Sequence, residues 1–370
     1  MPADLKFWVA FNRVSGIGAV RLRGLMEHFD NLESAWNASG VELRAAGLGP
    51  QTIEALQIAR REMDPEAELR RAEALGVRVV TWEDSDYPAR LKEIAAPPPV
   101  LYVWGRLEAT DDVCVAVVGT RRPSAYGQQV ARQLAGELAR AGLTIVSGLA
   151  RGIDAIAHRA ALDAGGRTLA VLGSGIDIVY PPEHRKLAEE ITGSGAVITD
   201  YCLGRQPEAV NFPARNRIIS GLSLAVVVVE AGESSGALLT ADFAAEQGRE
   251  VLAVPGSIYS RASAGCNRLI QNGARPLLSP TDVVEALDLE VTVRQGEARQ
   301  SLPEDGVERQ VLAALTQEPT HVDDVAARCG LPISQTSACL TMLELKGRAR
   351  QVGGMSFVAI SEPRPSYRVE

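Results

Sequence analysis

Cys114-Val-Ala-Val-Val-Gly-Thr-Arg-Arg122 is the first of a series of units that share one design. In each unit a short apolar run ends in a small or polar turn, and a helix-like segment follows. Apolar strands that alternate with helices predict a parallel sheet covered on both faces, which is an α/β fold. The apolar runs are Cys114–Val118, Thr144–Val146, Thr168–Leu172, Ala196–Ile198, Leu224–Val229 and Glu250–Val254.

The turns after these runs are rich in glycine, serine and arginine. In parallel sheets ligands bind at the carboxyl ends of the strands, where these turns would lie. Arginine offers a planar fork of donors that suits phosphate, and glycine lets the backbone approach closely. Because no paired carboxylates and no base–nucleophile pair accompany them, the turns favour phosphate binding over catalysis. They read Gly119-Thr-Arg-Arg122, Ser147-Gly-Leu-Ala-Arg-Gly-Ile-Asp154, Gly173-Ser-Gly-Ile-Asp177 and Glu233-Ser-Ser-Gly236, and Asn211-Phe-Pro-Ala-Arg-Asn-Arg-Ile-Ile-Ser220 is the densest polar stretch beside them.

Several common site patterns are excluded or weak. The chain has no G-x-x-x-x-G-K-[ST], and Ile178 stands where a dinucleotide fingerprint beginning at Gly173 needs its last glycine. Gly232-Glu-Ser-Ser-Gly236 has the form of a nucleophile elbow, but the sole later histidine is His321, near the C-terminus. We therefore predict that these serines hold an anion at a helix N-terminus.

A metal site is also weakly supported. Asp154 and His158 are four residues apart on one predicted helix face, but no third ligand has supporting spacing. We expect Asp154 to orient its turn and His158 to make a local hydrogen bond. No metal or cofactor is expected.

Outside the predicted core, the sequence divides into further segments. Residues 1–65 are helix-rich and carry two G-h-G turns that resemble those of SAM-like or helix-hairpin-helix modules, with a small structural helix bundle, in which the turns only begin helices, as the favoured interpretation. The predicted order is a helical module at 1–65, a connector at 66–112, the core at 113–287, a linker at 288–306 and a winged-helix module at 307–361.

The winged-helix module has an unfavourable charge for reading DNA. Residues 303–361 hold five Lys/Arg against seven Asp/Glu, and the third predicted helix, Ser334–Lys346, offers small polar side chains. A groove reader normally contacts phosphates through basic side chains. We therefore favour a protein-contact or regulatory role, with DNA binding left open.

Composition limits the partners and the compartment. The net charge of −8 argues against binding nucleic acid over the whole surface, so a phosphate partner must meet arginines gathered in one place. No apolar run is long enough to span a bilayer, and the N-terminus lacks a signal-peptide pattern. The five cysteines stand apart, as in proteins of a reducing compartment. We expect a cytoplasmic protein with no membrane partner.

A family resemblance rests on ordered motifs between Asp86 and Leu287. Val117-Val-Gly-Thr-Arg-Arg122, Ile145–Ala155, Tyr180-Pro181, Asn211–Ser220, Ser235-Gly-Ala237, Glu246-Gln-Gly-Arg249 and Val254-Pro-Gly256 closely resemble the DprA/Smf family of bacterial DNA-processing proteins. The resemblance implies an extended Rossmann domain that binds and protects incoming single-stranded DNA and helps load RecA recombinase during natural transformation. It also implies homodimers formed through this domain and no enzymatic activity.

The resemblance places the key DNA-contacting arginine of the G-[ST]-R turn at Arg121, with Ser147–Asp154 bordering the same pocket. Together with the turns, it assigns DNA binding to a set of residues along the sheet edge. They are Gly119, Thr120, Arg121, Arg122, Ser147, Gly148, Arg151, Gly152, Gly173, Arg185, Lys186, Arg215, Asn216, Arg217, Ser235 and Gly236.

Two positions depart from the pattern of the family. Some members have a lysine directly after Tyr-Pro, where this chain has Pro182, and another shortly before Phe-Pro-Ala-Arg-Asn, where it has Glu208-Ala-Val. We hypothesise that Arg185 and Lys186, which follow closely, replace the lost charge.

An enzyme is the alternative. The fold type also resembles LOG-like nucleotide hydrolases, which carry P-G-G-x-G-T-x-x-E with a catalytic glutamate. The equivalent stretch here, Glu230–Ala241, lacks the terminal acid.

Overall fold

A computed structural model describes residues 5–287, 306–315, 320–345, 349–353 and 355–359. The chain divides into two compact units, residues 1–291 and 292–370. The predicted linker at 288–306 lies, apart from Gly306, outside the described residues.

Within the described residues, the first unit is built on one nine-stranded sheet in the order β1-β2-β6-β5-β4-β3-β7-β8-β9. The strands from β6 to β9 in this order pair in parallel, as predicted, whereas β2 pairs antiparallel with both β1 and β6. The strands are β1 Val77–Thr81, β2 Val100–Gly105, β3 Cys114–Val118, β4 Thr144–Ser147, β5 Thr168–Val171, β6 Ala196–Thr199, β7 Ala225–Val228, β8 Glu250–Ala253 and β9 Arg275–Pro276.

Helices connect the parallel strands and cover both faces of the sheet. They are α1 Leu5–Arg13, α2 Ala19–His28, α3 Leu32–Asn37, α4 Gly40–Ala45, α5 Pro50–Glu62, α6 Pro65–Ala74, α7 Ala89–Lys92, α8 Ala125–Arg140, α9 Ile153–Asp163, α10 Arg185–Thr192, α11 Asn211–Leu222, α12 Gly236–Glu246, α13 Ala264–Gln271 and α14 Thr281–Ala286. Short 3₁₀ turns occupy Ala109–Asp112 and Pro182–His184.

Strand β3 shows how both faces are filled. Its side chains alternate, as those of any strand must, and all five residues are buried. Val115 and Val117 join a cluster with apolar residues of α8 and α9, while Ala116 and Val118 join a second cluster that includes α11. Burial on both sides explains why this strand and its neighbours read as continuous apolar runs.

The N-terminal helices are part of the second of these clusters. Trp8 and Phe11 on α1 are buried together with Tyr102 on β2. The Asn12 amide donates to the backbone oxygen of Asp200 at 2.9 Å, at the end of β6. Residues 1–65 and 66–112 therefore belong to the same compact unit as the sheet.

The second unit has the predicted winged-helix content. It contains α15 Gly306–Ala314, α16 Val322–Cys329 and α17 Ile333–Leu345, around a small core that includes Val311, Val325, Leu340 and Phe357. A hairpin of β11 Ala349–Gly353 with β12 Ser356–Ala359 is extended by β10 Thr320–His321, which pairs with β12. Lys346, at the end of the third predicted helix, lies outside the described residues.

Neither a membrane span nor a metal cluster is found in the described part of the chain. No helix there combines the length and the apolar composition that crossing a bilayer requires. No group of three or more His, Cys, Asp or Glu side chains there is placed to hold a metal ion.

His158 makes the local bond that the sequence suggested. Its Nδ1 lies 2.7 Å from Thr168 Oγ1, and because that hydroxyl donates to the backbone oxygen of Ile145, the imidazole N–H must donate to the hydroxyl. Nε2 is buried and has no partner among the described residues. Burial lowers the pKa of His158 from 6.5 to about 3.

This burial makes the unfolding free energy depend on pH in a defined window. Between about pH 6.5 and pH 3 the unfolded chain binds a proton at His158 that the folded chain does not, so stability falls as pH falls. We expect about 2 kcal/mol to be lost between pH 6.5 and pH 5 through this group. Urea denaturation of wild type and His158→Gln across pH 5 to 8 measures the difference in slope. Parallel pH profiles for the two proteins would contradict the assignment.

Candidate functional site

A cavity of about 800 Å³ opens at the carboxyl edge of the sheet. It lies where the strand order reverses, because the connections after β3 lead to β4 on one side while β7 pairs with β3 on the other. Such switch points are the usual ligand crevices of open α/β sheets. The walls come from the turn after β3, the turn after β4, the first two turns of α11 and the loop between β7 and α12.

The Arg215 guanidinium forms part of the floor. The side chain is 4% exposed, and its Nη1 donates to the backbone oxygen of Gly148 at 2.9 Å and to that of Val171. These carbonyls follow or end two neighbouring parallel strands, β4 and β5. Burial lowers the pKa of Arg215 to about 10, while attraction to Asp154 opposes the shift. Arg215 remains a cation and fastens α11 to the sheet.

Asp154 balances this buried charge. Its carboxylate accepts the backbone N–H of Gly148 at 3.1 Å and that of Ala150 at 3.4 Å, so it shapes the turn after β4. Burial raises the pKa of Asp154, and the Arg215 guanidinium opposes the rise. The predicted role of Asp154 in orienting its turn is confirmed by these bonds.

Gly148 is the point where the arginine and the turn meet. A Cβ at this position would lie 2.5 Å from Arg215 Nη1, which no side chain could accept without displacing the guanidinium. The turn therefore requires glycine here for close approach rather than for an unusual backbone angle.

The rim of the cavity carries an exposed cation over an aromatic pair. The Arg121 guanidinium lies 5.4 Å from the ring centre of Phe212, and Phe212 lies 5.6 Å from Tyr180 at a tilt of 42°. An arginine on a ring face keeps its in-plane donors free for a phosphate. The rim thus offers hydrogen-bond donors for a phosphate beside an aromatic surface.

The turn that holds Arg121 is fixed from below. Thr120 donates its backbone N–H to the backbone oxygen of Glu230 at 2.7 Å, at the end of β7. The buried Glu230 carboxylate accepts the backbone N–H of Ser124 at 2.8 Å and its hydroxyl at 2.7 Å. Both oxygens of Glu230 are therefore engaged in structure, and the Ser124 hydroxyl in turn caps α8.

The helices α9, α11 and α12 begin beside the cavity. Their first N–H groups and dipoles place partial positive charge around the cavity, which suits an anion. Ser235 caps α12, and the Asn216 amide donates to the backbone oxygen of Gly236 at 3.2 Å, so α11 and α12 are held together.

A narrow recess continues from the cavity past Arg121, Gly148 and Arg215 to Arg151. The exposed Arg151 donates to Glu183 at 2.6 Å, and this hydrogen bond is the main reason that the pKa of Glu183 is lowered. An incoming phosphate would compete with Glu183 for Arg151.

The structure brings together some of the predicted site residues and places others elsewhere. Those that line the cavity or the recess are Gly119, Thr120, Arg121, Gly148, Arg151, Arg215, Asn216, Ser235 and Gly236. Those that line neither are Arg122, Ser147, Gly152, Gly173, Arg185, Lys186 and Arg217.

Three residues of the second group, Ser147, Arg185 and Arg217, have side-chain partners in the structure. Arg217 points to the other side of α11, where it donates to Asp200 at 2.7 Å, and the Ser147 hydroxyl donates to the backbone oxygen of Val117. Arg185 pairs with Glu189 one turn along α10 at 3.2 Å, and Lys186 is exposed beside it. Their DNA contacts stay predictions.

Phe212 and Ile219 are among the wall residues that the predicted set did not contain. They lie on α11 at the spacing of Phe212, Arg215, Asn216 and Ile219, which is one face of a helix. Helical periodicity within Asn211–Ser220 is therefore the signal that would have identified them.

Comparison with known families gives two matches. The family model described as DNA recombination-mediator protein A matches residues 78–288, and the model described as DprA winged helix domain matches residues 295–355.

Similar proteins match most of the chain. Protein Smf of Synechocystis sp. is 38% identical over 392 aligned residues, which cover 96% of this chain and 98% of that protein. Protein Smf of Escherichia coli is 41% identical and covers 72% of this chain and 74% of its own length.

Solved structures agree with these matches. The X-ray structure of DNA processing protein A from Streptococcus pneumoniae has a TM-score of 0.67 at 35% identity, covering 76% of this chain and 97% of that one. A structure of DNA processing protein A from Helicobacter pylori, described as giving insight into a unique single-stranded DNA binding mode, has a TM-score of 0.52 at 30% identity. It covers 58% of this chain and 97% of that chain.

The contact between Gly148 and Arg215 predicts a sharp difference between two glycines of the site. In Gly148→Ala the new methyl overlaps the guanidinium, and we expect a loss of about 1–3 kcal/mol of unfolding free energy. Gly236→Ala is the matched control, because no atom lies within 4 Å of a Cβ there, and its stability should change little. Urea denaturation measures both; equal stability of the two variants would contradict the packing described.

Proposed function

Because this chain belongs to the DprA/Smf family of DNA-processing proteins, we propose that it binds single-stranded DNA at the cavity of the first unit. The observation that carries the proposal is the exposed Arg121 guanidinium held over Phe212 at the rim. Phosphates of the strand lie against Arg121 and the helix N-termini, and an unpaired base reaches the aromatic pair. The Helicobacter pylori relative described as binding single-stranded DNA supports this choice of ligand.

The geometry favours an unpaired strand over a duplex. The cavity beside the aromatic rings offers space for a base whose faces are free, whereas bases in a duplex are stacked and paired. The overall charge of −8 means that attraction to phosphate must come from this local group of cations. Binding is therefore expected to be strongly salt-dependent and weakly sequence-dependent.

The arrangement supports binding rather than catalysis. Asp154 supplies the one carboxylate among the described residues that line the cavity, and this carboxylate already holds the turn after β4. Glu230, which opens the stretch equivalent to the LOG-type motif, has both oxygens bonded to Ser124. The alternative of a nucleotide hydrolase predicts release of free base from nucleoside monophosphates, whereas our proposal predicts none by chromatography.

The wider role follows the family resemblance. We propose that the bound strand is protected and passed to RecA recombinase in the cytoplasm during natural transformation, and that the protein works as a homodimer formed through the first unit. We also propose that Arg185 and Lys186 extend the phosphate path, since both are exposed on α10. RecA filament growth on strands coated with single-strand-binding protein is the readout for transfer.

Replacing the rim cation tests the site directly. We expect Arg121→Ala to lower affinity for a thymidine 20-mer at least 10-fold, because a charge-assisted phosphate bond and the cation over Phe212 are both lost. The slope of log affinity against log salt should fall by about 0.7, the value for one phosphate of a single strand. Fluorescence anisotropy at several salt concentrations measures both quantities.

Arg132→Ala is the matched control, since Arg132 is an exposed arginine in the middle of α8, away from the cavity lining. It should bind as the wild type does. Thermal stability of Arg121→Ala should stay near that of the wild type because the side chain is exposed. Wild-type affinity in Arg121→Ala would remove the cavity as the binding site.

A further inference from the structure

The loop after β8 presents two apolar side chains to solvent. Ile258 is 83% exposed and Tyr259 is 92% exposed. They are the two central residues of a turn that is closed by the backbone N–H of Ser260 donating to the backbone oxygen of Ser257 at 3.0 Å. The Ser257 hydroxyl also accepts the N–H of Tyr259 at 3.3 Å. Central turn positions are normally glycine, proline, asparagine, aspartate or serine, so this pair is not explained by turn geometry.

The base of the loop is pinned, which holds the tip in place. Asn267 accepts the backbone N–H of Gly256 and donates to its backbone oxygen, both at 3.1 Å. A Cβ at Gly256 would lie 2.2 Å from the Ser263 hydroxyl, so the two ends of the loop meet tightly. A loop whose ends are held in this way loses less conformational entropy when a ligand stacks on its tip than a free loop would.

The same loop adjoins two walls of the cavity. Tyr126, in the first turn of the helix that follows Arg121, donates its hydroxyl to the backbone oxygen of Pro255 at 3.0 Å. On the other side, the backbone oxygen of Arg261 lies 3.2 Å from where a Cβ of Gly232 would be, and Gly232 lines the cavity. The turn and the cavity are therefore neighbouring parts of one edge of the sheet.

The charge of the loop suits a polyanion. Arg261 is its single Lys, Arg, Asp or Glu between Pro255 and Ser263, and its side chain is exposed. The neighbouring β7–α12 loop carries one exposed acid, Glu233. An aromatic tip beside an arginine is the combination by which proteins hold single-stranded nucleic acid, through stacking and phosphate contact.

We propose that the Ser257–Arg261 segment is a second contact for single-stranded DNA, in which Tyr259 stacks on a base and Arg261 binds a phosphate. The strand leaves the cavity across the β7–α12 loop and passes over this segment. The inference rests on the proposed function, because it extends the path of the same ligand. It assigns to Tyr259 a role that neither the cavity lining nor the glycine- and arginine-rich turns of the sequence indicated.

The test distinguishes contacts with bases from contacts with phosphates. Anisotropy is measured with a thymidine 20-mer and with a 20-mer of the same backbone in which the bases are replaced by abasic spacers. Tyr259→Ala should lower affinity for the thymidine strand about 5- to 100-fold, the usual effect of losing one base–aromatic stack, with a change under about twofold for the abasic strand. Tyr259→Phe should bind as the wild type does, since stacking needs the ring and not the hydroxyl.

Arg261→Ala should lower affinity for both strands and reduce the salt slope by about 0.7, whereas Tyr259→Ala should leave the slope unchanged. Val41→Ala, which truncates another exposed apolar side chain on α4, is the control and should have no effect. Unchanged thymidine affinity in Tyr259→Ala would overturn the proposal, as would an equal loss on the abasic strand.

Arg121→Ala in the same assay distinguishes the two proposals. Weak binding by Arg121→Ala with normal binding by Tyr259→Ala would exclude the second contact and support the cavity as the binding site. Normal binding by Arg121→Ala would exclude the cavity as the binding site. If Tyr259→Ala instead altered self-association by mass photometry while DNA affinity stayed normal, the turn would be a contact between copies of the chain and the proposal would be wrong.

Discussion

The site depends on one buried interaction, the Arg215 guanidinium bonded to the carbonyls of Gly148 and Val171. Removing a guanidinium from water is unfavourable, and here two carbonyls accept from Nη1 while the charge of Asp154 opposes the effect of burial, although the buried Nε has no partner among the described residues. The arrangement requires glycine at 148, an acid at 154 and α11 lying across the ends of β4 and β5. The cavity is the space left between α11 and the neighbouring loops once this contact is made.

A second consequence is a division of labour among the arginines. Arg215 is held by structural partners beneath the cavity, and Arg217 on the opposite side of α11 is held by Asp200. Arg121 is exposed at the rim over Phe212 and is the cation best placed to meet a phosphate. The carboxylates of the site, Asp154 and Glu230, are both engaged with backbone or hydroxyl groups. The charge of Arg121 is thus available to a ligand, while the carboxylates of Asp154 and Glu230 are committed to the fold.

The α/β fold was predictable because each buried parallel strand reads as an apolar run, and the six predicted runs match β3 to β8. The strands towards the two edges of the sheet were harder to predict. β9 has two residues, and its pairing with β8 depends on tertiary contacts rather than on a sequence period. β2 lies in the predicted connector at 66–112, and its antiparallel pairing with β6 could not be deduced from its own residues.

For the site, the turns and their arginines were visible in the sequence, whereas burial was not. Arg215 and Arg217 are two residues apart, and only the packing of α11 decides which one lies beneath the cavity. The roles of Phe212 and Glu230 likewise depend on contacts between segments far apart in the chain.

The bond between α1 and the end of β6 links the N-terminal helices to this site. Asn12 donates to the backbone of Asp200, and the side chain of Asp200 holds Arg217 on the helix that carries Arg215. In evolution the two kinds of contact are constrained differently. Asn12 meets a main-chain oxygen, which tolerates any residue at 200, but Asp200 and Arg217 meet through their side chains. Across the family, positions 200 and 217 should therefore covary as a charge pair. Position 12 should keep a side chain that donates a hydrogen bond, whichever residue stands at position 200.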